Sequence, residues 1–309
     1  MTRLLTIIAR NGRWMLVAGL VGGVLFPGLA SLMRAGLFPL IAAILFVSVL
    51  RVDPAQIARS LTHMRRDVPL VLFLQLALPL AVAAILYLGN ISGPLASVVI
   101  LTLAAAPITG GAGLAALTGL DGMTALRLLV WGTILLPLTS MLPLQIVFPG
   151  AAISPLEPAL RLLGVIALAG GLAVVVRQIW RPAPQSDAIV MLDAVSALLL
   201  AALVLGLMDA IQPMLLRDPL QVAGMLAAAF ALNFGLQIAA NTAMRRAGSD
   251  PAIGGAVALM AGNRNLALFL VALPPASLEA MMVFVGCYQI PMFLTPLLMR
   301  GYYGRAGRH

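Results

Sequence analysis

The chain has no lysine and little acid. Ten Asp and Glu stand against 19 basic residues, every one of them Arg, and charged residues fill only 9% of the 309 positions. A soluble domain carries about 25% charged residues, so a water-soluble globular fold is excluded. The single cysteine, Cys287, lies in an apolar run, which removes any disulfide framework or Cys-ligated metal. His63 and His309 are far apart at loop or tail positions. No metal site and no cofactor is therefore expected. No nucleophile–base pair or phosphate loop is present either, so the chain does not read as an enzyme.

What the chain has is apolar sequence. Hydrophobic residues make up 62% and the mean hydropathy is +1.07. Its apolar runs reach the length of about 20 residues that a helix needs to cross a hydrocarbon core about 30 Å thick. Membrane β-barrels show short alternating segments instead. The fold expected is an all-α membrane protein with one polytopic domain over 1–309 and ten transmembrane helices. The spans fall at about 14–32, 36–50, 68–88, 95–118, 123–148, 158–178, 189–208, 219–243, 252–273 and 280–299. Met1 to Trp14, with Arg3, Arg10 and Arg13, reads as an uncleaved cytoplasmic lead.

The net charge of +9 does not point to nucleic acid. Ten spans put both ends on one side. That side and its loops hold 15 of the 19 Arg, the other side holds Arg34, Arg161 and Arg217, and Arg264 lies within a span. Arginine retained on one side is the cytoplasmic-loop signal. Both termini are expected in the cytoplasm of a cell membrane, a bacterial inner membrane by type.

Two spans are interrupted. Pro107-Ile-Thr-Gly-Gly-Ala-Gly113 breaks span four, because Pro removes a backbone donor and the glycines raise the conformational cost of helix. Met260-Ala-Gly-Asn-Arg-Asn-Leu266 interrupts the apolar run of span nine with a fixed charge between two amides. A charge at that depth costs at least about 2.5 kcal/mol, and it normally faces a cavity or a polar partner. Spans four and nine hold matching places in two five-span halves, about 12–148 and 157–300, which an odd count makes inverted repeats. Interrupted segments at corresponding positions mark a transporter site.

The candidate substrate-binding residues are Arg264, Asn263, Asn265, Thr109, Gly110 and Gly111. Arg264 has three readings: a bidentate holder of an anion, a built-in cation in place of a bound ion, or a tether for the carbonyls of a broken helix. Asn263 and Asn265 bond substrate or the opened backbone. Thr109 with its glycines offers a hydroxyl and bare backbone, or close helix packing. Asp193 in span seven is a possible coupling group or counter-ion to Arg264, or a hydrated charge near the interface. Gln75, Asn233 and Gln237 read as inter-helix glue, and Tyr288-Gln289 stays open between glue and ligand.

With Phe26-Pro-Gly28 closing span one, Leu50-Arg-Val-Asp-Pro54 leaving span two, Pro107 with its glycines and Ala261-Gly-Asn-Arg-Asn265, the chain resembles the bile acid:sodium symporter family. The resemblance covers nearly the whole chain in layout. It implies a panel of spans 1, 2, 6 and 7, a core of spans 3–5 and 8–10, alternating access for organic anions, and two sodium sites. The sodium ligands are where the chain departs. The family's span-nine Glu falls on Met260 and its Gln on Arg264, while Gly262 and Asn265 persist. Its Ser-Asn pair after the span-four break falls on Ala112-Gly113 or Leu114-Ala115. The expectation is a sodium-independent carrier of a small organic anion, held in the lipid bilayer. A non-transporting sensor or partner protein of the same fold, or a facilitative channel-like pathway, is the alternative.

Overall fold

The computed structural model describes residues 2–148, 156–183, 186–273 and 275–306, and among them the regular structure is all helix. Among the described residues six helices are each long and apolar enough to cross a membrane: Met64–Leu88, Gly122–Thr139, Leu156–Trp180, Asp187–Arg217, Pro219–Arg246 and Met281–Gly304. A bent pair makes a seventh. Leu37–Arg51, Pro94–Ala104 and Pro251–Gly262 are apolar but shorter. At 1.5 Å per residue they fall below the length of about 20 residues that a straight crossing needs.

Local chemistry explains where many of these helices begin. Asp53, Asp218 and Asp250 each precede a proline, and each accepts a bond from a backbone N–H of the first turn. A carboxylate at the cap with proline at the first helical position is the favoured start. Asp121 does the same for Gly122–Thr139, accepting from the N–H groups of Met123 and Thr124.

The first expected span, 14–32, is not one straight element. It divides at Phe26 into Gly12–Leu25 and Pro27–Ala35, bent by 111°. Pro27 has no N–H to continue the ladder, so the chain turns there. Gly12–Leu25 then lies tightly on Asp187–Arg217. A Cβ at Gly19 would stand 2.4 Å from the Ala201 carbonyl oxygen, and one at Gly23 2.5 Å from the Met208 side chain. Small residues four apart permit this approach of backbones, as in membrane helix pairs generally. Prolines within the last helix do not break it. Pro275–Leu298 runs through Pro291 and Pro296.

Span four is two helices, Pro94–Ala104 and Gly111–Leu117, and span nine is two, Pro251–Gly262 and Ala267–Ala272. The core is densest here. Every residue from Gly254 to Leu273 is buried except Asn265.

Candidate functional site: the crossing of two broken helices

The two breaks meet. Pro107 and Arg264 form an isolated antiparallel bridge. The Ile108 N–H donates to the Asn263 carbonyl at 2.9 Å, and the Asn265 N–H to the Ala106 carbonyl at 2.7 Å. Each interrupted backbone thus supplies the bonds that the other lacks, which unwound chain inside an apolar protein requires.

Arg264 is fully buried, with 0% exposure. Its Nε donates to the Ala261 carbonyl at 2.7 Å, Nη1 to the Ala105 carbonyl at 3.0 Å and Nη2 to the Leu74 carbonyl at 3.4 Å. Ala261 belongs to the last turn of Pro251–Gly262, and Ala105 caps Pro94–Ala104. Each helix end carries roughly half a negative charge. Two such ends converge on one guanidinium, so the positive charge is met without an acid.

The Leu74 oxygen has its own origin. Residues 73–77 form a π-helical turn in which the Leu78 N–H reaches back five residues to Phe73. The next residue, Pro79, has no N–H, so Leu74 has no helical donor in that register. Arg264 takes the carbonyl left over. Gln75, in the same turn, donates to the carbonyls of Gly132 at 3.2 Å and Ala105 at 3.4 Å.

The remaining end carbonyls of Pro251–Gly262 are answered from three elements. The Gly262 oxygen accepts from the Tyr288 hydroxyl at 2.5 Å and from Asn233 Nδ2 at 2.7 Å. Asn263 Nδ2 donates to the Leu259 carbonyl at 2.8 Å, and its Oδ1 accepts from the Thr295 hydroxyl at 3.1 Å. Gln237 donates to Asn233 Oδ1 at 2.7 Å and accepts from the Tyr303 hydroxyl at 2.8 Å. Asn233, Gln237 and Asn241 are spaced by four, so they form one polar stripe along Pro219–Arg246. A Cβ on Gly262 would stand 2.3 Å from the Asn233 carbonyl oxygen, so only glycine fits against this stripe.

The residues proposed from sequence therefore divide. Arg264 and Asn263 are committed to backbone and sealed from solvent. Gly111 packs on Met260, with a would-be Cβ 2.3 Å from its sulfur, whereas Gly110 stands beside open space. Thr109 and Asn265 are half-buried, and their side chains make no hydrogen bond among the described residues. Both line a small cavity of about 30 Å³ walled by Ile41, Ile44, Leu200 and Leu203. Gln289 lines it too, is 3% exposed, and its amide likewise makes no bond among the described residues. Three unpartnered polar groups thus converge on one cavity. It adjoins two larger ones. Thr109 and Leu45 are shared with a crevice of about 240 Å³, and Gln289 with an apolar chamber of about 380 Å³ beside Trp14 and Phe293.

Asp193 lies elsewhere. Its carboxylate pairs with the Arg51 guanidinium, both about one-third exposed, and does not meet Arg264. No carboxylate pairs with Arg264 among the described residues. An ion pair that sequence reading did not find joins Arg127 Nε to Asp67 at 3.0 Å, tying Gly122–Thr139 to Met64–Leu72. Thr295 and Tyr303 were also missed. Thr295 is one hydroxyl in an apolar helix and Tyr303 one of two adjacent tyrosines, and only tertiary contact sets them apart.

These features define an apolar, helical protein with a buried polar crossing of two interrupted helices. No protein-family model matches the chain, and no curated protein matches it significantly.

Proposed function

We propose that the chain is a secondary membrane transporter. It crosses a bacterial inner membrane ten times as two inverted five-span halves, termini in the cytoplasm, and carries a small organic anion by alternating access. The observation that carries this reading is the crossing itself: two broken helices paired backbone to backbone, with Thr109, Asn265 and Gln289 turned to a cavity and left unpartnered. Unwound backbone at depth is tolerated where it is buried in protein or lines a cavity, and carriers place substrate there.

Arg264 supports the charge class. It is the one full charge at the crossing among the described residues, and it has no acid partner. A fixed cation one residue from Asn265 disfavours a second cation in the cavity and so favours a neutral or anionic group, although two helix ends already face the guanidinium. Its guanidinium holds three carbonyl oxygens that would otherwise suit a hard cation. In this reading Arg264 is the built-in cation, substrate bonds to Thr109, Asn265 and Gln289, and sodium has no role.

The test is a thermal-shift screen of purified protein against pyruvate, lactate, succinate and benzoate, in sodium and in N-methylglucamine buffers. Stabilisation by one class, equal in both buffers and lost in Asn265→Ala and Thr109→Val, supports the reading. A sodium-dependent shift refutes the built-in cation. Binding without uptake in proteoliposomes favours a sensor of the same fold.

A further inference from the structure

Arg177 is the feature that the crossing does not absorb. It lies in Gly171–Trp180, is only 6% exposed, and has no hydrogen-bond or ion-pair partner among the described residues; of its nitrogens, Nη1 is fully enclosed. A guanidinium this buried without a counter-charge is unfavourable, and an anion from outside the chain would relieve it.

The surroundings define what that anion is. Val47, Leu50, Ala173 and Leu192 form one apolar cluster where Leu37–Arg51 and Gly171–Trp180 end and Asp187–Arg217 begins. Arg177 stands one turn beyond Ala173, at the helix ends rather than the middle. Of the two acids at this end of Asp187–Arg217, Asp193 is engaged by Arg51 and Asp187 is exposed. Arg181, the next basic residue along, is exposed and donates to the Gln178 carbonyl. Ser186, which starts Asp187–Arg217, has a buried hydroxyl with no partner among the described residues. Leu172, Val175 and Ile179 of the Arg177 helix are exposed, as is Trp180 at its end. That is the pattern of a lipid-facing helix with its aromatic anchor at the headgroup level.

An apolar crevice lies along the helix turns that precede Arg177. Val174 and Gly170 precede it by three and seven residues, which places them on its face of the helix. Both line the crevice of about 240 Å³, together with Leu45, Val49, Val52 and Ile166. Gly164, Gly170 and Gly171 have open space where a side chain would stand.

We propose that Arg177 holds the phosphate of an anionic phospholipid, whose acyl chain lies in the crevice that ends at Thr109. Guanidinium binds phosphate oxygens through paired N–H groups. Basic sites between membrane helices near the headgroup level take such lipids. The proposal stands whether or not the chain transports, because the experiment reads lipid and not substrate.

The experiment is native mass spectrometry of the full chain from micelles containing equal phosphatidylglycerol and phosphatidylcholine, with a thermal-shift titration of inorganic phosphate in parallel. Wild type is expected to retain one phosphatidylglycerol at least tenfold in preference. Arg177→Gln should abolish that preference, and Arg217→Gln, an exposed arginine at the other end, should keep it. Arg177→Lys, which keeps the charge without the fork, should retain severalfold less than wild type. Stabilisation by phosphate with no retained lipid would overturn the lipid assignment in favour of a free phosphate site. Equal retention of the two lipids by wild type, or undiminished preference in Arg177→Gln, overturns the proposal outright. If Arg177→Gln fails to fold, equal retention by Arg177→Lys and wild type overturns it.

Discussion

Removing Arg264 is the sharpest perturbation available. In Arg264→Ala the carbonyls of Ala261, Ala105 and Leu74 lose a donor. The Ala105 oxygen keeps only the 3.4 Å contact with Gln75, and the other two are stranded. Each buried acceptor left unmade costs about 1–3 kcal/mol, so two give about 2–6 kcal/mol before the void is counted. Set against a typical total of about 5–15 kcal/mol, this is a large share. At about 2.1 cal/mol/K of unfolding entropy per residue, a chain of 309 residues shifts by about 1.5 °C per kcal/mol, so Tm should fall by at least about 3 °C. Arg264→Lys should fall in between, because one ammonium is a point donor and cannot span three diverging carbonyls. The assay is thermal unfolding in detergent, followed by tryptophan fluorescence. Millimolar methylguanidine should recover part of the loss in the alanine variant and leave wild type unchanged. An unchanged Tm in Arg264→Ala would refute the tether. A wild type whose Tm rises with sodium would refute the claim that Arg264 stands where an ion would.

Other substitutions probe the same architecture. Tyr288→Phe removes one of two donors to the Gly262 carbonyl and should cost about 1 kcal/mol, read as a midpoint shift in denaturant. Gly262→Ala drives a Cβ into the Asn233 backbone, and an overpacked core costs about 1–3 kcal/mol or more, so yield of monodisperse protein should drop sharply. Asp193→Asn should change stability by no more than about 1 kcal/mol, because its pair with Arg51 is partly exposed. Burial pushes the Asp121 carboxyl upward, but bonds from the Thr124 hydroxyl and N–H and the Met123 N–H outweigh it and hold the group below its usual value. The stability Asp121 contributes is therefore present above its unfolded-state value of about 3.9 and is lost as pH falls through the lower folded value. Wild type should lose more Tm than Asp121→Asn when titrated below about pH 4.

Much of this protein was written in local chemistry. Composition pointed to long apolar helices, since backbone in an apolar setting must satisfy itself, and the fold has six long enough to cross a membrane among the described residues. The two breaks were legible because Pro107 with its glycines, and a charge between two amides, contradict the apolar helix around them. The helix starts at Asp53, Asp218 and Asp250 are local as well, because cap and proline act within one turn. Tertiary structure decided the rest. That Arg264 answers carbonyls rather than an acid follows from two helix ends meeting 159 residues apart in sequence, which no local pattern encodes. The missing N–H of Pro79 frees Leu74, yet only the fold brings Arg264 to it. Asp193 and Arg264 look equally anomalous in an apolar chain, and packing alone gives one to Arg51 and the other to the backbone. Thr109, Asn265 and Gln289 come together at one cavity for the same reason. Hydrogen-bond satisfaction is a property of the assembled interior, and these three were the polar groups at the crossing left facing a cavity.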